Sequence, residues 1–393
     1  MNNILPTGRF RNLKGEKTII SLFKFLLVLT LFTLVSCHSS PPKVQSQVSD
    51  TPKSRKDTQL VLNNAILEQS NKRENTVWKI KADTITYSED QKIATLDKVI
   101  GNLLQDNQII FRISAQQGEV QDNGNIIVLE KDIVAQDPRN ESIIKSEAME
   151  WQPQKNLLRI KSGLQGLSSN LNVTAQTGRY LTNTESLSIE GEVVATTEQP
   201  PLQLTSDRLT WDIAQNKVIS PGQVKIVRYH QAKVTDRLFS DRAELDLTTN
   251  IATLTKNIEL VSLQPKLQAA TESLIWNYQL RSGKSDQPIQ ILDREDQMSL
   301  TGNQGSFNLR EQIVKLEGGV KGINKKKSSE LYARQLTWQI DTEQVEALGN
   351  VIYQQDNPRT RLTGEKAVGT LGNNNIVITS NGKQPVTSII ENQ

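Results

Sequence analysis

The residue types that most often carry chemistry are scarce in this chain. It contains one cysteine, Cys37, and two histidines, His38 and His230. These are too few for a zinc site of Cys and His, and a Ser-His-Asp triad would have to use His230, near which no nucleophile-elbow motif occurs. Carboxylates are numerous but lie mainly in turn-like segments, so a glycosidase pair stays open at this point. The sequence therefore predicts a protein that is not an enzyme and that needs no metal or cofactor.

Cys37 ends an apolar segment that follows a basic N-terminus. Residues 1–24 carry five Lys or Arg and one Glu, and residues 25–35 carry no charge, which is the layout of a secretory signal. The segment from Leu34 to Cys37 resembles a bacterial lipobox, which predicts that Cys37 is lipid-modified after cleavage. An uncleaved anchor from about Ile19 to Cys37 is the alternative. Both place the rest of the chain outside the cytoplasmic membrane, because the positive flank stays inside.

The charge distribution argues against nucleic-acid binding. The chain has a net charge of +3, but residues 1–36 supply five Lys or Arg against one Glu, so the exported part is slightly acidic. The basic run Lys325 to Lys327 is interpreted as a solvated loop, with contact to an acidic headgroup as the alternative.

An internal repeat of about 31 residues organises the exported part. Ten residues spaced 29 to 34 apart form an aromatic-rich column: Tyr87, Val120, Trp151, Tyr180, Trp211, Leu245, Trp276, Phe307, Trp338 and Gly369. Seven residues before each stands an apolar residue: Ile80, Ile113, Ile144, Val173, Leu204, Leu238, Ala269, Leu300, Leu331 and Leu362. Five residues before each stands a small residue, such as Ala82, Ser146, Ser206 or Thr271. A repeat of this size is one supersecondary unit that cannot bury its apolar face alone.

The spacing within each unit predicts a β-hairpin. Apolar positions alternate with period two, and turn-rich segments such as Asp122 to Asn125 separate the arms. Between the small column and the aromatic column the parity changes, which requires a bulge or a bend. We therefore predict an all-β fold: an elongated antiparallel β-jellyroll, or β-taco, of about ten hairpins whose arms bend from one facing sheet to the other. If both arms cross both sheets, about twenty strand spacings of ~4.8 Å give a length of roughly 90–100 Å.

Two interpretations of the columns remain open. The rings fill a solenoid core that carries no ligand, or they line a slot between the sheets. Small interior residues fit either interpretation, because they leave space or permit close approach.

The predicted boundaries are residues 1–37 for the signal peptide or anchor, 38–57 for a flexible tether, 58–382 for the repeat array and 383–393 for a C-terminal tail. The tether contains Pro41, Pro42 and Pro52 among Ser, Gln and Lys and has no apolar pattern.

The anchor, the tether and the hairpins together resemble the LptC family of lipopolysaccharide export proteins, with LptA and the periplasmic domain of LptD as structural relatives. Segments such as 80–87, 144–151 and 331–338 carry the resemblance through their repetition. Ordinary LptC proteins are much shorter, so this chain looks extended at its C-terminal end.

The resemblance implies a periplasmic protein at the inner membrane that binds lipopolysaccharide acyl chains in a groove. It implies three partners: lipopolysaccharide, an inner-membrane ABC transporter of the LptB/LptF/LptG type, and an LptA-like or LptD-like jellyroll that pairs with the C-terminal edge strand. The residues expected to line the groove are Ile80, Tyr87, Ile113, Ile144, Trp151, Tyr180, Leu204, Trp211, Trp276, Phe307, Leu331 and Trp338.

Two features depart from that family. LptC usually keeps an uncleaved helix, whereas Cys37 points to lipidation, and His38 after it makes an outer-membrane location conceivable. The additional units could replace part of the LptA bridge. The competing functional hypothesis is a structural or adhesive surface lipoprotein with a filled β-solenoid and no lipid cargo, and a third is a carbohydrate-active solenoid.

Overall fold

The computed structural model describes residues 59–70, 76–370, 376–380 and 385–390. Within these ranges the chain forms one antiparallel sheet of 28 strands with two 3-10 turns, Asp122–Gly124 and Pro153–Lys155. None of the helices in the described part of the chain has the length and apolarity needed to span a bilayer. The strands are β1 (Val61–Ser70), β2 (Thr76–Tyr87), β3 (Ala94–Gln105), β4 (Gln108–Gln121), β5 (Ile126–Gln136), β6 (Ile143–Gln152), β7 (Leu157–Ser162), β8 (Leu164–Leu167), β9 (Asn172–Ala175), β10 (Thr177–Leu181), β11 (Ser186–Glu198), β12 (Pro201–Asp212), β13 (Lys217–Ser220), β14 (Val224–His230), β15 (Lys233–Ser240), β16 (Arg242–Asp246), β17 (Ile251–Leu263), β18 (Lys266–Asn277), β19 (Ser282–Ser285), β20 (Ile289–Asp293), β21 (Met298–Gly302), β22 (Gln304–Asn308), β23 (Ile313–Asn324), β24 (Ser329–Gln339), β25 (Gln344–Asp356), β26 (Arg359–Thr370), β27 (Ile376–Thr379) and β28 (Thr387–Ile390).

Each unit is a long hairpin whose two arms bend together. In the unit of Trp211, β12 pairs with β13 near its end, through residues 210–212, and with β14 near its start, through residues 202–206. The second arm of the hairpin, which we call the return arm, is interrupted between β13 and β14. Because β12 pairs with both of these strands, both arms extend on both sides of the bend. The single hydrogen-bonded sheet thus folds at the bend into two facing halves, which are the two sheets of the predicted jellyroll, and both arms cross both halves. The prediction of a hairpin-repeat jellyroll is therefore confirmed.

The bend lies where the parity of the apolar positions changes. In several return arms it is a bulge, with register shifts between Glu190 and Val193 in β11 and between Glu317 and Val320 in β23. At the second of these, Gly318 and Gly319 have φ values of 81° and 95°. Glycine adopts this left-handed region without a Cβ clash, so the pair suits the bend.

The first unit buries a residue one position earlier than the next unit does, where Ile133, thirteen residues after Val120, is buried. Val99 is buried and Ile100 is exposed. Lys98 has a positive φ and occupies the bend of β3, where Val99 pairs with Ala115. The bend therefore uses fewer residues here than in later units, which turns the next side chain inward one position earlier.

Strand pairing joins the aromatic-rich column into one line across the sheet, which we call the aromatic row. Successive members are cross-strand partners: Tyr87, Ala94, Val120, Ile127, Trp151, Leu158, Tyr180, Leu187, Trp211, Val218, Leu245, Ala252, Trp276, Gly283, Phe307, Val314, Trp338, Val345, Gly369 and Ile376. Twenty strands at ~4.8 Å extend over about 90 Å.

Beyond the bend a second line, the aliphatic row, runs in the same direction. Its members are Leu67, Ile80, Gly101, Ile113, Ala135, Ile144, Gly166, Val173, Ala195, Leu204, Ile226, Leu238, Leu260, Ala269, Ile291, Leu300, Gly322, Leu331, Tyr353 and Leu362. The two rows face each other across the core. A Cβ atom placed on Gly166 in the aliphatic row would lie 4.0 Å from a ring carbon of Trp211 in the aromatic row.

Small polar residues tie the two arms together at the bend. The Ser206 hydroxyl oxygen lies 2.9 Å from the Ser220 hydroxyl and 2.9 Å from the carbonyl oxygen of Gln223. In another unit Thr271 Oγ1 lies 2.8 Å from Ser285 Oγ. These hydroxyls serve backbone groups that the bend takes out of the strand ladder. At these positions small residues therefore permit close approach of the arms.

Several sequence predictions fall at or beyond the ends of the described ranges. Cys37, the signal segment and the tether through residue 57 lie outside them. Within the segment predicted as a C-terminal tail, β28 pairs with β26 from Thr387 to Ile390.

Candidate functional site

The twelve residues predicted to line a groove come together in the interior. Seven belong to the aromatic row and five to the aliphatic row. Ten of them are buried, and Tyr87 and Leu331 are partly buried and pack against the same core. Trp151 and Trp276 are each only 1% exposed. The rings therefore fill the space between the sheets over most of the array.

The tryptophans of the aromatic row carry a polar group that lacks a partner. The indole nitrogens of Trp151, Trp211, Trp276 and Trp338 are buried and make no hydrogen bond. Trp78, which stands outside the row, donates from Nε1 to Gln69 Oε1 at 2.7 Å and to the carbonyl oxygen of Gly124 at 3.0 Å. A buried donor without an acceptor costs about 1–3 kcal/mol, so four of them in one row call for a physical reason.

Towards the C-terminal end the interior is not filled. A cavity of about 100 Å³, open to solvent on one side, lies between the two sheets. Leu300 and Leu331 of the aliphatic row line it from one side, and Val345 and Gly369 of the aromatic row line it from the other. Here the buried core divides, since Ala347, Val351 and Ala367 form a cluster separate from the main one.

Small residues are the signal for this cavity in the sequence. Gly322, Ala347, Ala367 and Gly369 line the cavity and are all small. Small residues that meet from several strands leave a volume that larger side chains fill in the preceding units. The prediction of groove-lining residues included Leu331 from this region but not its small neighbours.

Two polar clusters hold hairpin turns from opposite ends of the units together. In the first, Arg139 Nη1 lies 3.2 Å from Glu185 Oε1 and donates to the carbonyl oxygen of Thr182 at 3.3 Å. The Tyr180 hydroxyl donates to Asp137 Oδ2 at 3.2 Å. The hydrogen bond to Asp137 raises the pKa of Arg139, and burial raises the pKa of Tyr180. Tyr180 is therefore neutral and Arg139 charged at physiological pH.

The second cluster is built around Asp236, whose side chain is fully buried. Arg281 donates to both carboxylate oxygens, from Nε at 3.0 Å and from Nη2 at 2.7 Å. Arg228 Nη1 lies 3.7 Å from Asp236, and Arg228 Nε donates to the carbonyl oxygen of Tyr278 at 3.2 Å. Burial lowers the pKa of Arg228, and Asp236 opposes that effect. Two guanidinium groups thus share one carboxylate across the seam between the turns.

Among the described strands, each end of the array presents an edge strand with apolar side chains in solvent. At the N-terminal end β1 pairs with β2 and exposes Val61 and Ile66. At the C-terminal end β27 and β28 both pair with β26, and they expose Val377 and Ile389. Unpaired backbone groups on such strands favour the addition of a further strand.

His230, which a Ser-His-Asp triad would have to use, lies within the described residues. His230 lies exposed at the turn between β14 and β15. Among the described residues, no three His, Cys, Asp or Glu side chains are grouped as a metal ion would require.

The described residues form a β-jellyroll of hairpin repeats, and comparison with known proteins gives the family. Residues 25–162 and 226–325 match the model of the family described as lipopolysaccharide-assembly, LptC-related. The match covers more than half of the chain, and the chain belongs to this family. Its role therefore lies in lipopolysaccharide transport. LptC proteins are periplasmic and associated with the inner membrane.

Among solved structures, the chain is similar to LptH from Pseudomonas aeruginosa, described as the LptA homologous periplasmic component of the conserved lipopolysaccharide transport device. The two share 13% identity with a TM-score of 0.25, over 40% of this chain and 95% of that one. No curated protein matches the chain.

Proposed function

We propose that this protein is a membrane-attached periplasmic component of lipopolysaccharide export that holds acyl chains between its two sheets. It would receive the lipid from the inner-membrane ABC transporter and pass it to the next jellyroll. The observation that carries the proposal is the pair of apolar rows that face each other along the array and enclose a cavity at the C-terminal end. The role requires no catalytic group.

The energetics of such a track follow from its repetition. Each buried methylene contributes about 0.8 kcal/mol, so an acyl chain gains by leaving water. Because successive units present the same kinds of side chain, movement from one unit to the next changes this term little. Net movement would then depend on the supply of lipid by the transporter.

We propose that the C-terminal edge formed by β27 and β28 pairs with an LptA-like or LptD-like jellyroll. Val377 and Ile389 would be covered by the added strand, and β27 and β28, which now pair only with β26, would become internal strands. The N-terminal edge, β1, would face the LptB/LptF/LptG-like transporter. The many units of this chain would replace part of the LptA bridge.

The attachment is proposed to be a lipid on Cys37, with an uncleaved helix as the alternative. The boundaries at residues 37, 57 and 382 form part of this proposal. The mass of the mature N-terminus decides between the two anchors, because cleavage removes the residues before Cys37 and acylation adds a lipid to it.

A photo-crosslinking experiment tests the function. Photoreactive amino acids at Trp151, Trp211 and Leu331 should capture lipopolysaccharide in cells, with Leu331 the most efficient because it lines the cavity. Lys155, which is exposed, serves as the control position. Capture at the interior positions no higher than at Lys155 would reject the proposal.

A structural or adhesive protein with a filled solenoid is the second candidate, and the burial of the tryptophan rings favours it. The substitution Ala347→Leu separates the two. If the cavity receives lipid, the added methyl groups should reduce capture at Leu331 while the fold gains about 0.5–2 kcal/mol from the filled space. For a filled solenoid the same gain in stability is expected, with no lipid signal to lose.

A further inference from the structure

The four tryptophans of the aromatic row stand at equal intervals. Three residues separate each tryptophan from the next along the row, so successive rings are four strand spacings, or about 19 Å, apart. The intervening units place Tyr180, Leu245 and Phe307 in the column. Leu245 and Phe307 therefore fill the equivalent position without a polar group that could remain unpaired, so packing alone does not require Trp.

We infer that the buried indole N–H groups of Trp151, Trp211, Trp276 and Trp338 are hydrogen-bond donors to the carbonyl or hydroxyl oxygens of fatty-acyl chains that enter when the two sheets separate. The inference rests on the proposed function and names which atoms of the cargo the interior recognises. It makes the aromatic row a series of polar subsites within an apolar slot.

The chemistry of the donor selects the ligand group. Indole Nε1–H donates and cannot accept, so the partner must be an acceptor. A phosphate would lose its hydration on entering this interior, and a sugar would bring many donors and acceptors that the two rows cannot satisfy. An ester or amide carbonyl, or a hydroxyl on an acyl chain, is a neutral acceptor attached to an apolar chain. That combination matches a lone donor in an apolar wall.

Trp78 provides an internal comparison. Its Nε1 already donates to Gln69 and Gly124, and it lies outside the aromatic row. A probe that offers a carbonyl to the interior should therefore affect the four row tryptophans and leave Trp78 unchanged.

The test uses the full-length mature protein with ¹⁵N-labelled indole groups and two single-chain glycerophospholipids below their micelle concentration. One carries an ester-linked palmitoyl chain and the other an ether-linked hexadecyl chain with the same headgroup. The ester probe should move the indole proton resonances of the row tryptophans downfield, and the ether probe should not. The ester probe should bind more tightly by about 2- to 12-fold per hydrogen bond formed.

A matched variant removes the donor and keeps the ring. Replacement of Trp211 by 3-benzothienylalanine, which has sulfur in place of N–H, should abolish the part of the ester preference that Trp211 supplies. The same replacement at Trp78 should leave the preference intact.

Equal affinities and equal spectra for the two probes, or binding of neither, would overturn the inference. Failure of the proposed function has a different signature, because lipopolysaccharide would then not be captured at Leu331 or Trp211 in cells. Capture in cells together with an unchanged ester preference in the Trp211 replacement would retain the function and remove the role of the indole.

Discussion

Replacement of Asp236 by Asn should destabilise the seam between the hairpin turns. The carboxylate accepts two hydrogen bonds from Arg281 and lies 3.7 Å from Arg228, whose side chain is only 9% exposed. The amide of the variant would keep the shape of the carboxylate but leave two largely buried guanidinium groups without a counter-charge. Removal of one partner from a buried ion pair typically costs about 3–5 kcal/mol.

Amide hydrogen exchange is the suitable assay, because units of a repeat array can open separately and a single unfolding midpoint would average them. A loss of 3–5 kcal/mol should speed the exchange of protected amides in β14, β15 and β18 by between about two and three and a half orders of magnitude. Amides in β2 to β5, several units away, should be unaffected.

The control is Glu295→Gln, which removes the partner of Lys266 in an exposed pair. It should cause no measurable change, since solvent screens such pairs. A cost below about 1 kcal/mol for Asp236→Asn, or faster exchange spread evenly over the array, would refute the assignment of the cluster as a local clamp.

Three further experiments test the packing of the interior and the ion pair between Glu150 and Lys161. Trp211→Ala should cost about 3–5 kcal/mol in the local free energy of unfolding if the ring packs as described, and almost unchanged amide exchange in β11 to β13 would contradict that packing. Gly283→Ala places a methyl group on the Phe307 ring, so it should cost about 1–3 kcal/mol, and Phe307→Leu in the same chain should restore much of the loss. The hydrogen bond from Lys161 lowers the pKa of Glu150 below its ordinary value of 4.5, so Glu150 stabilises the fold above that pH and the contribution disappears as the pH falls through the lowered pKa. Urea titrations between about pH 3 and 6 should therefore converge for the wild type and Glu150→Gln at the acidic end, and parallel curves would exclude this linkage.

The repeat allowed the fold to be predicted because its information is local and periodic. Period-two alternation places residues on a face, and the spacing aligns Trp151 with Trp211 through the intervening strands. The parity change predicted the bend for the same reason, although Val99 shows that one residue fewer in the bend shifts which side chain turns inward. These features depend on neighbours within a unit.

The features that the sequence did not reveal depend on residues that meet from distant parts of the chain. Arg281 reaches Asp236 from 45 positions away, and neither residue repeats at the period of the hairpins. The cavity arises where small residues such as Gly322 and Ala367 face one another across two sheets. The lack of an acceptor for the Trp338 indole is likewise a property of the packed interior, because the sequence does not show what lies within reach of Nε1.

The direction of stacking decides how the protein carries mechanical load. Strands lie across the long axis, so a pull between the two ends acts along the inter-strand hydrogen bonds and loads one strand pair at a time instead of shearing a whole ladder. Each contact between neighbouring strands then resists the pulling force with the strength of a single strand pair. A joint made by adding a partner strand at β27 and β28 resists in the same way, so it need not be weaker than the array it joins. Under tension the terminal strands, which have a neighbour on one side only, would peel first and leave the interior between the sheets covered.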